Sequence, residues 1–226
     1  MYFIKDNNEI YIASAIGYLQ YDNSLYNGKK IRILDLSGKI KKEIDNSKDN
    51  NCDIYEDPER GIYYMDNYND NKLNKKYIIT SNKGCITSYD YNKCIIYHKY
   101  QDNKNDKIYK KFIIYNKENI TEIIVGSYDG YIRIWNFDSA ELLNLIKVYK
   151  AKLFDICFWN DEYLFVGSEN GRIKVIDINK NKSYKELNSG LLGLNYGVTS
   201  INKINVPQYG ECLISQSANQ ITLWVN

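Results

Sequence analysis

One short sequence occurs twice in this chain, and the repetition is the strongest constraint on its fold. GSYDGYIRIWNF begins at Gly126, and GSENGRIKVIDI begins 41 residues later at Gly167. Both contain Gly-Ser, two variable residues, a second glycine and then a run in which apolar residues alternate with other residues. Alternation with a period of two predicts a half-buried β-strand. The chain therefore repeats at least one strand-forming unit.

Each copy is predicted to be a β-hairpin. The apolar runs EIIVG (Glu122–Gly126) and YLFVG (Tyr163–Gly167) precede the alternating strands and are typical of strands covered on both faces. Between the paired strands lie Asp-Gly (129–130) and Asn-Gly (170–171), which favour the positive φ angles of a two-residue turn. SAELLNLIKVY (Ser139–Tyr149) has some helical character, but its position after the first hairpin predicts a further strand.

The same pattern recurs along the whole chain. When the ends of the alternating strands are aligned, five copies appear, and neighbouring copies are separated by 55, 46, 41 and 48 residues. The copies are KIRILDL (Lys30–Leu36), CITSYDY (Cys85–Tyr91), YIRIWNF (Tyr131–Phe137), RIKVIDI (Arg172–Ile178) and ITLWVN (Ile221–Asn226). A serine precedes four of them, at Ser81, Ser127, Ser168 and Ser217. Because the copies agree at several aligned positions, the sequence indicates a repeat protein.

These residues resemble the WD40 family, whose repeats of about 40–45 residues each form a four-stranded blade and end their third strand in Trp-Asp. The resemblance implies an all-β fold, a WD40-type β-propeller of about five four-stranded blades. Here Trp135 precedes Asn136 and Trp224 precedes Val225, so no intact Trp-Asp pair is present. The family's Gly-His pair is also absent, and His98 is expected in a fourth strand instead. The histidine-centred hydrogen-bond network of regular members is therefore not expected.

The resemblance implies a single domain over 1–226, with approximate blades at 1–45, 46–101, 102–148, 149–189 and 190–226. LFDICFWND and VTSINKI, which begin at Leu153 and Val198, resemble the first strands of blades. Two arrangements are compatible with the last blade. Either Met1–Asp6 supplies its outer strand and closes a five-bladed ring, with EIYIASAI and YLQYDNS as the first two strands of blade one, or the chain is part of a larger propeller. The polar tract Asp66–Lys76 is predicted to be a solvated insertion between strands.

No catalytic, metal-binding or cofactor-binding motif is recognised. The single histidine, His98, lies in an apolar strand-like run, and no serine has the GxSxG setting of a hydrolase nucleophile. The five cysteines form no CxxC pair, and the GxxxxGK[ST] phosphate loop is absent. We therefore expect no catalytic residues, no metal and no cofactor, and we predict that the protein is not an enzyme.

Composition limits the class of partner. Thirty Lys and Arg oppose 28 Asp and Glu, and this near balance argues against nucleic acid as the main partner. No apolar run approaches the ~18 residues of a transmembrane helix, and charged residues near the N-terminus argue against a signal peptide. We expect no membrane association and an intracellular protein in the cytoplasm, with a nuclear location left open.

The repeat architecture and the lack of catalytic groups predict a protein-interaction scaffold or adaptor that binds a protein or peptide. By resemblance to the family, its binding face would include loop residues Lys83, Tyr128, Tyr149, Lys150 and Glu169. Tyr128 is the principal candidate, because exposed aromatic residues are favoured interface anchors. The alternatives are a structural subunit whose propeller is completed by another, stoichiometric chain and, with weaker support, an RNA-associated propeller.

Overall fold

The structure, a computed structural model, describes residues 2–6, 9–15, 30–45, 62–102, 107–188, 196–218 and 220–225. Within these ranges the chain forms nineteen β-strands arranged in five antiparallel sheets. The strands belong to two compact units, residues 1–106 and 107–226. No membrane-spanning helix is found in the described part of the chain.

The first unit contains two four-stranded sheets, each ordered as in the sequence. The first sheet consists of β1 (Tyr2–Asp6), β2 (Glu9–Ala15), β3 (Lys30–Leu34) and β4 (Ile40–Asp45). The second sheet consists of β5 (Tyr64–Asp70), β6 (Lys75–Ser81), β7 (Ile86–Asp90) and β8 (Ile95–Tyr100). Apolar side chains between these sheets, including Ile31, Ile33, Ile78 and Tyr89, form the core of this unit.

The second unit contains three sheets, again with neighbouring strands in sequence order. The third sheet consists of β9 (Tyr109–Lys117), β10 (Ile120–Ser127), β11 (Tyr131–Asn136) and β12 (Leu142–Lys147). The fourth consists of β13 (Leu153–Phe158), β14 (Tyr163–Ser168), β15 (Arg172–Asp177) and β16 (Lys182–Asn188). The fifth has three described strands, β17 (Val198–Val206), β18 (Gly210–Ser217) and β19 (Gln220–Trp224).

The strand predictions from the repeat are confirmed. The five aligned copies lie on β3, β7, β11, β15 and β19, the third strand of each sheet. The segment Ser139–Tyr149 contains β12, a strand and not a helix, and His98 lies on the fourth strand β8. Strands β13 and β17 are the first strands of their sheets, as expected.

Two sequence-based expectations are corrected. Tyr2–Asp6 pairs with β2 and is the first strand of the first sheet, so it does not act as the outer strand of the last sheet. EIYIASA accordingly forms the second strand, while YLQYDNS lies outside the described residues. The tract Asp66–Lys76 is not an insertion but most of the β5–β6 hairpin. Its polar residues fit there because the Asp70 carboxylate accepts hydrogen bonds from the turn amides of Lys72 and Leu73 at 2.9 and 3.1 Å.

The repeated Gly-Ser pair has a packing role and a turn role. A Cβ atom at Gly167 would lie 2.8 Å from the Val198 side chain, so only glycine lets β17 approach β14 this closely. The next residue, Ser168, places its hydroxyl against the Asn170 side chain and 3.0 Å from the Arg172 carbonyl oxygen. Ser127 makes the equivalent contacts with Asp129 and with the Tyr131 carbonyl oxygen. Ser127 and Ser168 therefore close the hairpin turns of the third and fourth sheets, whereas the Ser217 hydroxyl donates to the Tyr196 carbonyl oxygen instead.

Gly130 is required by backbone conformation and by space together. Its φ is +84°, and an added Cβ would lie 2.1 Å from the Tyr149 carbonyl oxygen. Gly210 offers a matched comparison, because its φ of +71° is also positive but nothing lies within 4 Å of its Cβ position. Substitution of Gly210 therefore tests the energetic cost of a positive φ angle alone, whereas substitution of Gly130 adds the cost of a steric collision.

We predict that Gly210→Ala lowers the free energy of unfolding by about 1 kcal/mol, the cost of a left-handed alanine. Gly130→Ala should cost about 1–3 kcal/mol more, because the methyl group displaces the backbone of the following connection. Urea denaturation of the purified variants measures both. Equal losses in the two variants would show that the contact with Tyr149 does not constrain the turn.

Candidate interaction surface

The turn between β10 and β11 holds Tyr128 in a defined position. The Gly130 amide donates to the Ser127 carbonyl oxygen at 3.0 Å, which closes the turn. The Tyr128 amide donates to the carbonyl oxygen of Ile108, just before β9, also at 3.0 Å. Because both ends of the turn are bonded, the Tyr128 side chain projects from a fixed backbone.

A buried ionic network supports the same turn from inside the sheet. Arg133, only 1% exposed, donates two hydrogen bonds to the Asp129 carboxylate, at 3.0 and 2.7 Å. It also donates to the Ser127 hydroxyl oxygen at 2.6 Å, and the Lys107 ammonium lies 3.5 Å from Asp129. Paired hydrogen bonds between a guanidinium and a carboxylate are strong and fix orientation. The network therefore ties the turn to the middle of β11.

The network also changes the acidity of Asp129. Burial alone would raise the pKa of this carboxyl, but hydrogen bonds from Arg133 and Ser127, together with the charges of Arg133 and Lys107, lower the pKa to about 2. Asp129 is therefore ionised at neutral pH, and it balances the buried guanidinium. Removing one partner of such a pair strongly lowers stability because the other charge stays buried and uncompensated.

The Tyr128 ring lies among aromatic and basic side chains. It contacts Phe154 of β13 edge-on, with the ring centroids 5.7 Å apart. The ammonium groups of Lys110 and Lys152 lie 5.1 and 5.5 Å from its centroid, within the range of cation–π attraction. The ring is half-buried, so one part is held by these neighbours and another part remains accessible.

Glu169, on the turn between β14 and β15, joins this group through Lys152. Its amide donates to the Lys152 carbonyl oxygen at 2.8 Å, and its carboxylate lies 3.0 Å from the Lys152 ammonium. The hydrogen bond from Lys152 is the main cause of a lowered pKa for Glu169. We call Lys110, Tyr128, Lys152, Phe154 and Glu169 the Tyr128 surface.

Gly197 makes room for the aromatic part of the Tyr128 surface. A Cβ at this position would lie 2.3 Å from the Phe154 ring and 3.0 Å from the Glu169 Cα. Neither Gly197 nor Phe154 was identified from the sequence. The only sequence signal for Gly197 is its position just before the first strand of a sheet. Nothing in the local sequence distinguishes Phe154 from other strand residues.

The remaining predicted site residues have different positions. Lys150 is exposed, on the connection from β12 to β13 that packs against the Tyr128 turn. Its neighbour Tyr149 is only 9% exposed, with its hydroxyl 3.2 Å from Glu186 and the Lys174 ammonium 4.2 Å from its ring centroid. Burial is the main cause of a raised pKa for Tyr149. Tyr149 therefore supports the connection rather than offering its ring to a partner. Lys83 is half-buried in the β6–β7 turn of the first unit.

The single histidine and residues of the metal-ligating types lie in the described part of the chain. Within the described ranges, no three His, Cys, Asp or Glu side chains gather closely enough to hold a metal ion. The His98 ring packs against Tyr97 with centroids 4.2 Å apart, and its backbone amide donates to Ser88. This environment gives His98 a packing role in β8.

Three solved structures resemble this chain over 66% or more of its length. The WD40 β-propeller domain of Doa1 superposes with a TM-score of 0.64 at 10% identity, covering 99% of this chain and 62% of that domain. The computationally designed protein Ika8 gives 0.61 at 15% identity, covering 99% of this chain and 57% of its own. The designed protein Ika4 gives 0.50 at 18% identity, over 66% of this chain and 84% of its own.

The fold is that of a WD40-type β-propeller. The expected all-β fold class is thereby confirmed, although the chain spans less than two thirds of the Doa1 domain and of Ika8. No family model matches the chain, and no curated protein is similar to it in sequence. At such low identities the likeness shows the fold alone.

The chain departs from the regular WD40 pattern at the turn that carries Tyr128. The polar network there is centred on Arg133, with Asp129 and Ser127 as its partners, and it contains no histidine. In the next sheet Asn170 replaces the aspartate, and Lys174 reaches the Val148 carbonyl oxygen at 2.8 Å. An ionic contact therefore stabilises one turn where the neighbouring turn uses neutral hydrogen bonds.

We predict that Asp129→Asn lowers the free energy of unfolding by at least about 2 kcal/mol at pH 7, because it leaves the Arg133 charge uncompensated. The native pKa of Asp129 is depressed, so its contribution is present above about pH 4 and is lost as the pH falls toward 2. The difference between the two proteins should therefore shrink over that interval.

Denaturation of both proteins between pH 2 and pH 7 measures this effect. Asp138→Asn is the matched control, since Asp138 is an exposed residue of the turn that follows β11. An Asp129 variant as stable as the Asp138 variant at pH 7 would contradict the assigned role of the network.

Proposed function

We propose that the protein is a non-catalytic interaction scaffold whose second unit binds a protein or peptide partner at the Tyr128 surface, within an intracellular complex. The observation that carries the proposal is the fixed, half-buried Tyr128 ring, held between Phe154 and two lysine ammonium groups. The surface combines an aromatic anchor with an ion pair, which are features of protein interfaces and support a binding function.

The physical argument rests on how protein interfaces gain affinity. Aromatic residues held rigidly before binding lose little conformational entropy on association, and they are enriched among the residues that dominate binding energy. Tyr128 meets this condition because the backbone of its turn is bonded at both ends. The Lys152–Glu169 pair and the exposed Lys150 supply a polar rim around it, as in other protein interfaces.

The likeness to the Doa1 domain concerns the fold and assigns no partner. Propellers carry many unrelated functions on one architecture, so the site and not the fold must be tested. The near balance of charge favours a protein or peptide over RNA, because proteins that bind the phosphate backbone usually carry an excess of basic residues.

We predict that a double variant, Tyr128→Ala with Glu169→Ala, loses a stoichiometric partner that the native chain retains when purified gently from its own cells. Recovery of that partner should fall at least tenfold, as expected for removal of an aromatic anchor. Quantitative mass spectrometry of the purified complexes measures the loss.

Tyr209→Ala is the matched control, because Tyr209 is an exposed tyrosine in the β17–β18 turn. It should leave recovery unchanged. The unfolding midpoint of each variant is measured in parallel, so that loss of the partner is separated from loss of the fold. Unchanged recovery with a folded double variant would overturn the proposal for the Tyr128 surface.

A further inference from the structure

The fifth sheet ends in β19, a strand with one unpaired edge in the part of the chain that the structure describes. Among the described residues, β19 pairs with β18 on one side and with no strand on the other. The other four sheets each place a fourth strand at the corresponding position. Ser217 pairs with Gln220 where the β18–β19 hairpin closes, and bonded positions alternate along an antiparallel ladder. The amides of Ile221 and Leu223 therefore point away from β18, toward the open edge.

An apolar groove of about 250 Å³ runs beside this edge, between the fourth and fifth sheets. We call it the outer groove. Its lining includes Trp159, Tyr163, Phe165, Tyr184, Leu213 and Trp224. The indole nitrogen of Trp224 donates to the Ser215 hydroxyl oxygen at 2.8 Å, which fixes the ring on the groove side of the sheet. The groove is therefore shaped by held side chains.

Apolar side chains beside the outer groove remain exposed. Tyr184 is 68% exposed and Val225 52%, while Ile221, on the face of β19 opposite to Trp224, is 71% exposed. An unpaired strand edge bordered by exposed apolar residues is a template for pairing with another extended segment. The groove can accept every second side chain of such a segment, because side chains alternate between the two faces of a strand.

The charges around the outer groove select the chemistry of that segment. Lys203 is already neutralised by Glu211 at 2.6 Å and also donates to the Trp159 carbonyl oxygen. Lys185 lines the groove, is exposed and has no ion-pair partner among the described residues. This ammonium repels a cationic ligand and attracts a carboxylate. A proline-rich segment fits less well, because proline cannot contribute amide donors to the ladder.

We propose that the edge of β19 and the outer groove bind an extended segment of a partner protein as a fourth strand, antiparallel to β19. The segment places an apolar side chain in the groove at every second residue and a carboxylate within reach of Lys185. This inference is independent of the Tyr128 surface, and it gives a chemical form to the alternative that another chain completes the last blade.

The test begins with twelve-residue peptides from a displayed random library, selected on the purified full chain. Selected peptides should share alternating apolar residues and an Asp or Glu at a constant position. Lys185→Glu should weaken their binding at least tenfold, and replacing the peptide carboxylate by lysine should restore binding to that variant. This exchange tests the assigned charge without altering the strand edge.

A second pair of variants tests the backbone pairing. Ile221→Pro removes an outward amide from an edge strand, a position at which proline is tolerated. Ile221→Ala removes most of the side chain and keeps the amide. We expect at least a tenfold loss of affinity in the proline variant and less than a threefold loss in the alanine variant. Unfolding midpoints identify any variant that fails to fold. If Ile221→Pro does not fold, the paired replacement of Lys185 and of the peptide carboxylate tests the proposal instead.

Several outcomes would overturn this inference. They include no enriched peptide, enriched peptides that are cationic or proline-rich, and equal binding by the two Ile221 variants. Unchanged affinity in Lys185→Glu would also overturn it. Sedimentation of the native chain provides the remaining outcome, because a dimer abolished by Ile221→Pro would assign the edge to a second copy of this chain.

Discussion

Close packing of neighbouring sheets in the second unit depends on the glycine that precedes the last residue of β10 and of β14, the second strands of the third and fourth sheets. At Gly167 a side chain would collide with Val198, and at Gly126 a Cβ would lie 3.3 Å from Ile156 and from Leu153. This close approach buries an apolar core that includes Ile124, Leu164 and Val166 between the third and fourth sheets. The same residues lead into the turns that carry Tyr128 and Glu169. The Gly-Ser segments therefore both allow the sheets to pack closely and position the turns of the candidate site.

The turn network shows how a divergent repeat can keep its geometry with different chemistry. A serine hydroxyl and a short acidic or amide side chain recur in the third and fourth sheets, but only the third adds a buried guanidinium. A buried charge is tolerated there because Asp129 supplies two acceptors and stays ionised. The result is a turn fixed by ionic contacts and a tyrosine presented with little freedom.

The two proposed binding regions differ in what they offer a partner. The Tyr128 surface offers side chains, an aromatic ring with a polar rim, and would select a partner by shape and charge. The β19 edge offers backbone groups with an apolar groove beside them, and would select a partner that can become a strand. Both lie in the second unit, and both follow from strands and turns that the repeat positions.

The sequence by itself determined the strands of the repeated hairpins, since alternating apolar residues and Asp-Gly or Asn-Gly turns are local signals. The polar β5–β6 hairpin at Asp66–Lys76 lacks those signals and was missed. The third strands, the hairpins and the strand nature of Leu142–Lys147 were predictable for that reason. The pairing of Tyr2–Asp6 was not, because a period of two shows that a strand exists without naming its neighbour. Only the tertiary structure brought Phe154 and Lys152 to Tyr128, placed Gly197 against Phe154, and left Lys185 beside an open groove. These contacts join residues distant in sequence, and their geometry is decided by the packing of whole sheets against one another.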